Sequence, residues 1–183
     1  MFDGLHILIP QELFVPTESS YFEGEYVVSE LISGPDIYHF SSPLKWEITI
    51  SNTGDALLIS GTITGKAKIQ CARCLDEFYF SLSGIVEGFF LLENENGIPD
   101  DKEEDEFDVL PEDKTIDLEP LLRAAILLEL PLVPLCKETC EGLCPFCGIN
   151  LNNEKCSCAL NHHNEADDES QNPFSVLKDY PFN

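Results

Sequence analysis

The chain has 183 residues, room for one ordinary domain or for a core with a small module attached. At 43% hydrophobic and 10% aromatic it holds enough apolar material for a packed core, which excludes a wholly disordered chain. Thirty-four acidic residues stand against ten Lys and Arg, a formal net charge of -24 that opposes a broad grip on phosphate backbones and favours a basic protein as partner.

No Lys or Arg precedes the first apolar residues, so no signal or transit peptide is read, and a cytoplasmic monomer is expected. The first forty residues mix short apolar groups with Pro10, Pro16, Gly24, Gly34 and Pro35 and predict only weak strands. From Leu44 the pattern sharpens. Trp46, Ile48 and Ile50 alternate with polar residues, Asn52-Thr53-Gly54-Asp55 makes a turn, and Leu57, Ile59 and Ile63 follow as the second arm of a hairpin. A further strand is expected over Phe78 to Leu92, with Gly84 and Gly88 as bends or bulges.

Residues 93 to 113 carry eleven acids against Lys102 alone, too much like charge to pack. Asp117 then caps a helix with Pro120 in its first turn, an apolar face running from Leu118 to Leu130 through Leu122, Ile126 and Leu128, and Pro131 as its stop. The stretch from Leu121 to Leu135 is broken by Arg123, Glu129, Pro131 and Pro134, short of the ~20 clean apolar residues of a membrane span.

The expected organisation is an antiparallel β domain over 1–92, an acidic linker or loop over 93–115, a helix and Cys-rich segment over 116–160, and an acidic tail over 161–183 with a short terminal helix at 172–178. The fold class is α+β: a mainly antiparallel sheet, open to curling toward a barrel, covered by one helix and followed by a Cys-rich zinc-binding segment.

Eight cysteines carry the chemistry: Cys71-x2-Cys74, then Cys136, Cys140, Cys144, Cys147, Cys156 and Cys158 within 23 residues. In a reducing compartment such patterned thiols read as ligands of one or two structural Zn²⁺ ions rather than as disulfides. A two-residue gap lets one turn aim both sulfurs at a common point while its N–H groups bond the thiolates. In Cys144-Pro145-Phe146-Cys147-Gly148 the proline presets that turn and Gly148 can take the positive φ that follows.

Proximity groups Cys71, Cys74, Cys136 and Cys140 as one site, a staple across the fold, and Cys144, Cys147, Cys156 and Cys158 as another. A ribbon of Cys71, Cys74, Cys144 and Cys147 is the rival, since spacing alone does not choose partners. Arg73, Lys66, Lys68, Lys137 and Lys155 lie near the ligands in sequence and can offset thiolate charge. His162 and His163 are alternative ligands, and an iron–sulfur cluster is chemically open to four thiolates. No Gly-rich phosphate loop, HExxH pair or nucleophile elbow is present, so the reading is non-enzymatic; the alternative is a dithiol oxidoreductase using Cys71 and Cys74.

Cys71-Ala72-Arg73-Cys74-Leu75-Asp76-Glu77-Phe78, Ile116-Asp117-Leu118, Leu128-Glu129-Leu130-Pro131-Leu132-Val133-Pro134-Leu135-Cys136, Gly142-Leu143-Cys144-Pro145-Phe146-Cys147-Gly148-Ile149-Asn150-Leu151-Asn152 and Asn172-Pro173-Phe174-Ser175-Val176-Leu177-Lys178 together resemble the YceD family, the large ribosomal RNA subunit accumulation proteins. The resemblance spans residues 44 to 178. It implies a bacterial cytoplasmic, metal-binding protein that supports synthesis, processing or stability of large-subunit rRNA. Genes of that family often adjoin one for a small basic ribosomal protein, so the implied partner is a basic ribosomal protein or a large-subunit precursor. Direct RNA contact is electrostatically disfavoured.

Overall fold

The computed structural model describes residues 5–92 and 108–158. His162, His163, the terminal helix expected at 172–178 and most of the acidic run lie outside the described residues. In chain order the elements are β1 (His6–Leu8), a 3₁₀ turn (Gln11–Phe14), β2 (Ser19–Tyr26), β3 (Glu30–Ser33), β4 (Asp36–His39), β5 (Leu44–Asn52), β6 (Ala56–Gln70), β7 (Glu77–Leu91), β8 (Asp108–Val109), β9 (Thr115–Asp117) and α1 (Glu119–Glu129). The chain divides into two compact units, residues 1–70 with 77–134, and residues 71–76 with 135–183.

The first unit is built on β6, which pairs along one edge with β7 from Ala56↔Leu91 to Gln70↔Glu77 and along the other with β5 and then β4. The sheet runs β2-β5-β6-β4-β3, with β7 on β6 and the short β8 parallel to β7. It is mostly antiparallel and open: β2 and β3 are ends of the path, so the sheet does not close into a barrel. A small second sheet pairs β1 with β9.

Alternation on β5 does what the pattern demands. Leu44, Trp46, Ile48 and Ile50 are buried, while Lys45 and Glu47 face solvent. The buried Asn52 ends the strand; its Nδ2 donates to Leu13 O at 2.7 Å and its Oδ1 accepts from Gly54 N at 2.6 Å, so the turn leaves no polar atom of that side chain unpaired.

The N-cap of α1 is Leu118 rather than the expected Asp117, which stands one residue earlier and meets a free donor of the first turn by accepting from Glu119 N at 2.9 Å; Pro120 sits in that turn. The helix packs on β7 with Leu122, Ala125 and Ile126 buried. Leu128 falls outside that face and is 86% exposed, because it lies two residues beyond Ile126 and so turns away from the sheet. Gly84 and Gly88 are not bulges. Their pairing with Ile63 and Ile59 is uninterrupted, and what they supply is room: a Cβ on Gly84 would stand 2.6 Å from Ala125 O, and one on Gly88 2.8 Å from Leu121 Cδ1.

Candidate metal centre

The second unit collects all eight cysteines, each a free thiol. The chain leaves β6 at Gln70, makes the turn Cys71–Asp76 and enters β7 at Glu77. Cys71 N donates to Asp76 O at 2.9 Å and Leu75 N to Cys71 O at 3.0 Å. The turn at Cys144 repeats both bonds: Cys144 N to Ile149 O at 2.8 Å and Gly148 N to Cys144 O at 2.9 Å. Gly148 has φ +74°, and Leu75, at the matching place, has φ +61°. The absent glycine after Cys74 therefore does not prevent the same turn; Leu75 adopts the left-handed conformation at about 1–2 kcal/mol.

The sulfurs fall into two sets of four, Cys71, Cys74, Cys136 and Cys140, and Cys144, Cys147, Cys156 and Cys158, and within each set all lie within 4.8 Å of one another. The ribbon that would join both two-residue gaps does not assemble. In the first set Cys71 Sγ is 3.7 Å from Cys140 Sγ, and Cys74 Sγ 3.7 Å from Cys136 Sγ. Sulfurs at about 2.3 Å from a tetrahedral zinc would be about 3.8 Å apart, whereas a disulfide needs about 2.05 Å. Cys71, Cys74, Cys140 and Cys144 are buried, Cys136, Cys156 and Cys158 half-buried, and Cys147 exposed.

Burial pushes the Cys71 thiol up, but the backbone N–H groups of Cys74, Cys136 and Arg73 outweigh it and hold the group at about 6. The N–H groups of Cys147 and Phe146 likewise bring Cys144 to about 6. The N–H of Asp76 pulls Cys74 down, yet burial and the neighbouring sulfurs prevail and push it up to about 12. Cys158 is pushed up to about 12, first by its hydrogen bond with Cys147 and then by burial. Cys71 and Cys140 in the first set and Cys144 in the second thus ionise more readily than a free thiol, while Cys74 and Cys136, and Cys156 and Cys158, are pushed the other way. Four soft donors gathered this closely could hold a cation, whose charge would offset that of the thiolates.

Side chains around the first set complete it. Asn152 Nδ2 donates to Cys140 Sγ at 3.3 Å and is the largest cause of the lowered Cys140 thiol. Asn152 Oδ1 accepts from Glu141 N at 3.0 Å, and Asn150 Oδ1 accepts from Asn152 N at 3.0 Å. Asn150 Nδ2 in turn donates to Asp76 Oδ2 at 2.6 Å. Arg73 Nη1 donates to Cys140 O at 2.9 Å, which places its charge in this unit as the sequence suggested. Lys68 differs, for its Nζ pairs with Glu77 Oε2 at 2.6 Å. Sequence reasoning missed Asp76, Asn150 and Asn152. The signal was present as Asn-x-Asn after the Cys144 turn, but such residues fit any loop.

A family model described as large ribosomal RNA subunit accumulation protein YceD matches residues 59–180, a stretch that holds all eight cysteines. An uncharacterized protein of Mycobacterium tuberculosis is 32% identical over 111 residues, 61% of this chain and 53% of that protein. The chloroplastic large ribosomal RNA subunit accumulation protein YCED homolog 1 of Arabidopsis thaliana is 26% identical over 169 residues, covering 78% of this chain and 50% of that protein. Its namesake in Zea mays is 45% identical over 47 residues, 25% of this chain and 16% of that protein. The chain thus spans about half the length of the first of these relatives. No solved structure matches it.

Proposed function

Because the chain belongs to the YceD family of large ribosomal RNA subunit accumulation proteins, we propose that it is a non-enzymatic, zinc-binding cytoplasmic factor of bacterial ribosome biogenesis. It supports the synthesis, processing or stability of large-subunit rRNA by holding a basic ribosomal protein or a large-subunit precursor. The observation that carries this is the family match across residues 59–180. The charge of -24 favours a protein-mediated route over direct RNA contact.

Cys71, Cys74, Cys136 and Cys140 would hold one Zn²⁺, and Cys144, Cys147, Cys156 and Cys158 a second. A four-thiolate zinc is closed and supplies structure rather than a reactive water. The chain's own part is to aim the sulfurs through the paired turns and to steady Cys140 through Asn152. Burial of Cys71 and Cys74 supports this over dithiol chemistry, which needs an accessible thiolate.

The test is a deletion strain and a sedimentation profile. Large-subunit rRNA should fall relative to small-subunit rRNA, and the protein should migrate with subunit precursors or with a ribosomal protein. Unchanged rRNA together with migration only as free protein would overturn the reading. Native mass spectrometry should find two zinc ions per chain, and one after replacement of Cys144 by serine.

A further inference from the structure

β2 ends the path of the main sheet and, among the described residues, pairs only with β5. Thr17 N donates to Asn52 O and Asn52 N to Glu18 O, a bulge of the G1 kind with Thr17 at φ +74°. Counting on from it, alternation in an antiparallel ladder turns the backbone groups of Ser20, Phe22, Gly24 and Tyr26 toward β5. Those of Ser19, Tyr21, Glu23 and Glu25 face outward and, among the described residues, have no strand beside them.

The solvent face of this edge carries Glu23, Glu25 and Glu47, with Lys45 opposite Glu25. Glu23 lies directly opposite Glu47, a repulsive cross-strand pair, and the Tyr21 hydroxyl reaches both, at 3.1 and 3.2 Å. The hydrogen bond to Glu23, then desolvation and the bond to Glu47, push the Tyr21 phenol up to about 12. Thr62 Oγ1 also donates to Glu47 Oε1, at 3.3 Å, but neither hydroxyl removes the like charge of the two carboxylates, which a cation laid beside them would offset.

The core face supplies an independent sign. Trp46 is 5% exposed, and its Nε1 is a buried donor with no acceptor among the described residues. Gly24 makes space for the indole, since a Cβ there would stand 2.8 Å from Trp46 Cε2 and 3.2 Å from Nε1. Trp46 lines two hollows, one of about 480 Å³ beside Glu47 and Lys45, and one of about 340 Å³ shared with Phe22 and with Ile7 and Leu8 of β1. An apolar crevice, an orphan N–H and an open strand edge thus adjoin a set of carboxylates.

We propose that the free edge of β2 takes up an extended basic segment of a partner protein as an added strand. Its Lys or Arg side chains lie against Glu23 and Glu25 in the field of Glu47, and its alternate apolar side chains enter the crevice beside β1 against the Trp46 indole. A second copy of this chain is the poorer occupant, because two such edges would set Glu23 and Glu25 against their own kind. The proposal rests on the reading of the protein as a factor that works through a basic partner, and it names the surface.

Trp46 is the only tryptophan, so its emission reports the site directly. The probe is a capped octapeptide of alternating Lys and Val, titrated into the full chain; its controls are a Glu–Val octapeptide and the Lys–Val peptide N-methylated at alternate residues. The Lys–Val peptide should shift Trp46 emission saturably and slow amide exchange at Tyr21, Glu23 and Glu25. The Glu–Val peptide should not respond, and both N-methylation and the exposed double change Glu23→Gln, Glu25→Gln should weaken binding at least tenfold. No saturable response, binding indifferent to these changes, or a concentration-dependent dimer through β2 would overturn the proposal. A peptide that binds at this edge while deletion leaves rRNA unchanged would instead sink the biogenesis reading and leave the edge standing.

Discussion

Asn152 stands where the two cysteine sets share a network, its amide on the Cys140 sulfur and its backbone N–H on Asn150. Outer partners of this kind hold a ligand's orientation and charge, and their loss weakens metal retention by about 10–100-fold. Asn152→Ala should do so at the first site, and Asn152→Asp should do more, because a carboxylate against a thiolate replaces attraction by repulsion. Chelator competition on the purified chain measures this, and equal retention in both variants would refute it. The cysteines were legible in the sequence because spacing carries their geometry. The asparagines were not, since Asn150 meets Asp76 across 74 residues and only the folded chain brings them together. Leu75 was opaque for the opposite reason: its side chain disfavours the conformation that the turn imposes on it.

At the scale of elements, α1 and β7 meet through glycine. Gly84→Ala would drive a methyl into the Ala125 carbonyl, a backbone atom that cannot rotate away, whereas at Gly88 the nearest atom is the end of the Leu121 side chain. The first change should cost about 1–3 kcal/mol, as overpacking does, and the second less; chemical denaturation of the two variants gives the order. An equal or reversed order would show that the helix yields as a body. The hairpin of β5 and β6 was readable from alternation and its Asn-Thr-Gly-Asp turn, and α1 from Asp117 and Pro120. The N-terminal strands were faint because they are short and their partners remote: β1 pairs with β9, more than a hundred residues away. The glycines of β7 looked like defects of a strand because a sequence does not display what lies across from them.

For the whole molecule, the two units differ in what holds them. The first has an apolar core from Leu13 through Ile48, Ile59 and Val86 to Leu122 and Ile126. Apart from its cysteines, the described part of the second contributes no side chain to the buried hydrophobic core. Metal removal should therefore loosen residues 135–158 while amides of β5 and β6 stay protected, since binding energy at such sites is folding energy. Hydrogen exchange with and without chelator reads both at once, and simultaneous loss of protection would contradict it. The two cysteine sets also span very different lengths of chain. Cys71 and Cys140 are 69 residues apart, and Cys74 and Cys136 are 62 apart, whereas the other four sulfurs come from a single short stretch. By loop-closure entropy the longer ring is harder to close by about 1 kcal/mol before any contact rewards it. A nascent chain can thus gather the local set as soon as that stretch emerges, but the distant one only after β6 and β7 have zipped together, so closure of the latter serves as a timestamp of completed folding.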